Sequence, residues 1–78
     1  MPKLSILTGK ELVKILKKMG FKEIRQRGSH VFMEHEDGRI TIVPIHSGEN
    51  IGKGLLNKII KEDLKITVEE FIKILKGY

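Results

Sequence analysis

A chain of 78 residues with a formal net charge of +5, no cysteine and no tryptophan narrows the possibilities at once. At this length residues 1–78 make one domain that buries only about 60% of the surface its unfolded form exposes, which leaves no room for a second domain or a deep substrate cavity. The absence of cysteine excludes disulfides, thiolate chemistry and cysteine-based zinc sites. No apolar run approaches the ~20 residues that span a bilayer and no secretory leader is visible, so a cytoplasmic protein without a membrane partner is expected. The charge is uneven: through His30 there are eight Lys or Arg against two acids, and from Val31 onward seven against eight. A polyanionic ligand follows from that asymmetry. For Lys14, Lys17 and Lys18 taken alone, the solvated face of a helix is a sufficient account.

In chain order, Met1 to Leu7 reads as a short, loosely held extended lead. Thr8-Gly9-Lys10-Glu11 is a capping box that starts a helix, with Leu12, Val13, Ile15, Leu16 and Met19 as its apolar stripe. Gly20 can take the left-handed conformation that closes this helix, and Phe21 packs back on the stripe. Lys22 to Arg27 alternates as a strand does, with Arg25 and Arg27 on one face and Ile24 and Gln26 on the other. Gly28-Ser29 turns the chain into a second strand, His30 to Glu36. Apolar residues there fall on both parities, so the pattern does not select its buried face. Asp37-Gly38 is the strongest hairpin signal in the chain. It leads to a third strand, Arg39 to Ile45, and Pro44 marks an edge or a strand end. Residues 45–52, with His46, Ser47, Gly48 and Asn50, form an irregular surface loop. Lys53 to Glu62 is a second helix, with Leu55, Leu56, Ile59 and Ile60 buried and Lys53, Asn57, Lys58 and Lys61 outside. Thr67-Val68-Glu69-Glu70 is another capping box, opening a short C-terminal helix whose apolar side is Phe71, Ile72 and Leu75. The expected fold is α+β: helix, three-stranded antiparallel sheet, helix and a terminal helix, with the main helices covering one sheet face.

The chemistry concentrates in Arg25-Gln26-Arg27-Gly28-Ser29-His30. Positive charge, a tight turn and an imidazole together suit gripping or cutting a phosphodiester. The bland alternative is a hairpin turn followed by an ordinary strand residue. An imidazole can take a proton from a ribose 2′-hydroxyl or give one to a leaving 5′-oxygen, and cations can offset the charge on the phosphorane. Arg25, Arg27 and Lys58 are the candidate cations, and His30 is the candidate acid or base. Ser29 either donates to phosphate or only shapes the turn. His46 can order its loop, contact RNA as an auxiliary group, or do neither. His35, between Glu34 and Glu36, reads as a solvated surface residue. A metal site is not expected: His30 and Glu34 share a strand face but lie about 13 Å apart at ~3.3 Å per residue, and His35 points the other way. Few aromatic residues are available for stacking, so backbone gripping is favoured over single-strand base readout.

The ordered series Arg27-Gly28-Ser29-His30, Asp37-Gly38-Arg39, Val43-Pro44-Ile45-His46-Ser47-Gly48 and Lys53-Gly54 resembles the HicA, or YcfA-like, family of mRNA interferase toxins over nearly the whole chain. The loop wordings Gly52-Lys53-Gly54 and Asp63-Leu64-Lys65-Ile66 depart from the commoner family pattern. The resemblance implies a double-stranded-RNA-binding-domain-like fold and ribosome-independent cleavage of mRNA; no cofactor is expected. It implies that His30, in the Gly-Ser-His motif, is catalytic, and that a HicB-type antitoxin covers the active surface. The alternatives are a non-catalytic RNA-binding module of the same fold, or an interaction protein whose basic face docks an acidic partner.

Overall fold

The computed structural model describes residues 7–46 and 48–77. Its elements are α1 (Gly9–Lys18), β1 (Phe21–Arg27), β2 (His30–His35), β3 (Ile40–Pro44), α2 (Lys53–Lys58), a π-helical turn (Ile59–Asp63) and α3 (Val68–Lys76). The strands form one antiparallel sheet in the order β1-β2-β3, which is the α+β arrangement expected. The expected lead falls mainly on residues 1–6, outside the described residues, as does Ser47. Leu7 itself is held: its side chain is buried and its carbonyl accepts from the Ile51 N–H at 2.7 Å.

Both capping boxes form. The hydroxyls of Thr8 and Thr67 accept from the amides of Glu11 and Glu70, and each glutamate accepts in return from the threonine N–H. Those backbone N–H bonds are the main reason both carboxyls sit below their ordinary values. Leu12, Val13 and Leu16 of α1 bury against Phe21, Val31, Met33 and Val43, with Ile59, Ile60 and Phe71 completing the same core. The register decides the face that sequence left open. Val31 pairs with Val43 and Met33 with Thr41, and these four point into the core. By the period of two, His30, Phe32 and Glu34 then emerge on the opposite face. Gly9 lets α1 approach this sheet, because a Cβ there would overlap the Pro44 carbonyl oxygen.

Four sequence expectations change. Ile24 is the extra residue of a bulge between Glu23 and Arg25, so it is 53% exposed instead of sharing the inner face with Gln26. Leu55 is 41% exposed because it faces a groove, while Leu56 takes the core position. The second helix is α-helical only through Lys58. It then widens, with the Leu64 N–H donating to the Ile59 carbonyl five residues back at 2.8 Å. His35 is not a solvated residue. Its Nε2 donates to the Met19 carbonyl at 3.2 Å, its Nδ1 accepts from the Asp37 N–H at 3.1 Å, and its ring meets Phe21 edge-on. It ties the end of α1 to the hairpin.

Arg39 ties the same hairpin to the π-helical turn. Its amide and Nε donate to the two Asp37 carboxylate oxygens, at 3.0 and 2.8 Å, and Nη1 donates to the Leu64 carbonyl at 2.7 Å. Its guanidinium lies 5.3 Å from the Phe21 ring centre. The Arg39 amide is the leading cause of the lowered Asp37 carboxyl pKa. Arg39→Ala removes the donor to a partly buried carbonyl, so a loss of about 2 kcal/mol is expected in urea unfolding. Arg39→Lys is expected to recover little of it, because an ammonium cannot reproduce the fork.

Candidate active site

The turn after β1 holds only Gly28 and Ser29, so Arg27 and His30 are directly paired. Gly28 has φ +56° and Ser29 does not share a positive φ, the pattern of a II′ hairpin turn whose twist matches the strands. The Gln26 side-chain amide donates to the Gly28 carbonyl at 3.0 Å and braces the turn from within one strand. His30 also pairs with Pro44 across β3, which places it between the two outer strands at one end of the sheet. Its side chain is exposed.

The cations sit on both sides of His30. Arg27 lies opposite it on β1, and Arg25, opposite Phe32, projects from the same face. The Arg25 guanidinium lies 4.7 Å over the Phe32 ring, a contact that holds it on the sheet while leaving it exposed. On the other side, the outer edge of β3 and the α2 segment enclose an open groove of about 490 Å³. His30 lines this groove, and so does Lys58. Of the three histidines, His30 alone reaches it. His46 is held near the turn instead. The Ile45 N–H donates to the Ser29 carbonyl at 2.6 Å, and His46 Nε2 then lies 3.5 Å from Ser29 Oγ, a long contact. Gly28 contributes backbone shape alone.

The sequence-predicted residues therefore gather at one end of one sheet face: Arg25, Arg27, Gly28, Ser29, His30 and His46 at the turn, with Lys58 across the groove. This arrangement presents three cations and an accessible imidazole to a ligand lying on the open face, the requirements of phosphodiester chemistry. Sequence reasoning missed the apolar floor of the site, Phe32, Ile40, Ile42 and Leu55. Phe32 and Ile42 lie on the parity opposite to Val31 and Val43, but both parities are apolar, and only the strand pairing tells them apart. Among the described residues no group of three or more histidine and carboxylate side chains is placed to hold a metal ion.

A family model described as the HicA toxin of bacterial toxin–antitoxin matches residues 9–64. That span contains α1, the sheet, α2 and the π-helical turn, hence every candidate residue above. No curated protein matches the chain.

Gly28→Ala isolates the backbone requirement of the turn. A Cβ at Gly28 meets no atom within 4 Å, so only its positive φ is penalised. The expected cost is about 1 kcal/mol in chemical denaturation, with the Arg27–His30 pairing retained in amide cross-strand NOEs.

Proposed function

The chain belongs to the HicA toxin family of bacterial toxin–antitoxin systems, and from that premise we propose that it is a metal-independent endoribonuclease, an mRNA interferase acting in the cytoplasm. Residues 1–78 are read as one toxin domain. The observation that carries the reading is the placement of His30, exposed at the end of the sheet, paired with Arg27 and sharing a groove with Lys58.

In this reading RNA lies across the open face with a phosphate between Arg27 and Lys58. The 2′-hydroxyl gives its proton to a base as the 2′-oxygen attacks the adjacent phosphorus. The bond to the 5′-oxygen breaks, and that oxygen takes a proton. The products are a 2′,3′-cyclic phosphate and a 5′-hydroxyl, with no cofactor consumed. His30 performs one of these proton transfers, and Arg25, Arg27 and Lys58 stabilise the extra negative charge of the phosphorane. Gly28 and Ser29 fix the approach of His30, and His46 beside Ser29 is the auxiliary group. Membership of a toxin–antitoxin family implies an antitoxin partner. We assign a HicB-type antitoxin that covers the open face, so that antitoxin and RNA exclude one another.

The test is cleavage of single-stranded RNA in EDTA by wild-type protein and His30→Ala. Wild type is expected to cut, and the variant to lose at least about 100-fold in rate while keeping its circular dichroism spectrum. Undiminished cutting by His30→Ala removes His30 from the mechanism. If neither protein cuts but both bind RNA in a salt-dependent manner, the chain is an RNA-binding module of the same fold.

A further inference from the structure

The groove beside β3 continues past the residues assigned to phosphate chemistry, and its two ends differ in character. One end is formed by His30 and Pro44. At the other, the Thr41 hydroxyl donates to Asp63 Oδ2 at 2.9 Å. Pro44 and Thr41 are three strand residues apart, about 10 Å at ~3.3 Å per residue, close to the reach from a phosphate to the far edge of its own base. Ile40, Ile42 and Leu55 also line it and stay 52%, 43% and 41% exposed. A small chain with a limited core leaves three large apolar side chains facing the same groove. Asp63 repels phosphate. The Thr41 hydroxyl engages only its Oδ2, so the second carboxylate oxygen can accept from a donor in the groove.

We propose that this half of the groove is a nucleobase subsite selective for bases bearing an exocyclic amino group. The inference rests on the ribonuclease reading above. The phosphate of the bound nucleotide lies at His30 and Lys58, its base lies flat between Ile42 and Leu55, and its amino edge donates to Asp63. The apolar walls accept any base, because every base has an apolar face. Asp63 supplies the choice. Adenine, cytosine and guanine each present an amino group to it. Uracil presents an N–H flanked by two carbonyl oxygens, which meet the carboxylate lone pair to lone pair. Thr41 is the positioning residue: it holds Asp63 through Oδ2 and leaves Oδ1 free to accept.

The experiment maps cleavage sites on one RNA containing every dinucleotide, using wild type and Asp63→Asn. The asparagine keeps an oxygen for Thr41 and offers an amide N–H₂, which can donate to a uracil carbonyl. Wild type is expected to disfavour uracil roughly tenfold at one position beside the cut bond, the equivalent of one hydrogen bond. Asp63→Asn is expected to erase that preference while still cutting. An unchanged preference in Asp63→Asn overturns the subsite. Should wild type not cut RNA at all, the ribonuclease reading fails, and a second measurement still decides the subsite. AMP and UMP are titrated separately into wild-type protein while the methyl resonances of Ile42 and Leu55 are followed. Shifts with AMP that exceed those with UMP support it; equal shifts, or none, overturn it.

Discussion

The site depends on the length of one turn. With only Gly28 and Ser29 between β1 and β2, Arg27 must pair with His30, and every residue two positions further along inherits its face from that pairing. A slip of one residue would send His30 into the core and bring Val31 to the surface. The burial of Val31 and Met33 opposes that slip with the full hydrophobic cost of exposing them. The core therefore fixes the register, and the register aims the imidazole. Stability and chemistry meet at the same hairpin without sharing side chains.

The other groups are brought to His30 from outside the hairpin. Arg39 and His35 do this at the opposite end of the sheet, where they fasten the β2–β3 connection to the π-helical turn and to the end of α1. Fixing that turn fixes the preceding α2, and with it Lys58 and Leu55. The widened helical turn also delivers Asp63 to Thr41. Irregular helix here is thus tied to the strand edge by side-chain bonds, and the groove is the space left between them.

Much of this was legible in the chain. The threonine–glutamate spacing that starts α1 and α3 acts through contacts three residues apart, so its meaning does not depend on the rest of the fold. The Gly28-Ser29 and Asp37-Gly38 turns are local in the same sense. Arg25 and Arg27 were placed on one face by alternation alone, and the pairing of Arg27 with His30 adds the imidazole to it. What sequence could not supply was set by contacts distant along the chain. Phe32 and Ile42 look as much like core residues as Val31 and Val43, and only pairing decides between them. Ile24 was misassigned because a bulge breaks the alternation used to place it. His35 appeared solvated among acids, while its partner Met19 lies 16 residues away. Leu55 and Leu56 are adjacent and equally apolar, and the groove, which no local pattern announces, determines which one is exposed.

Whether RNA lies on the open face around His30 is decided by the amide resonances of labelled His30→Ala protein as an uncleavable 2′-O-methyl RNA is added. Shifts concentrated in Arg25 to Val31, in Ile40 to Pro44 and around Lys58 are expected. Shifts confined to α3, or scattered over all the lysines of the surface, would place RNA elsewhere.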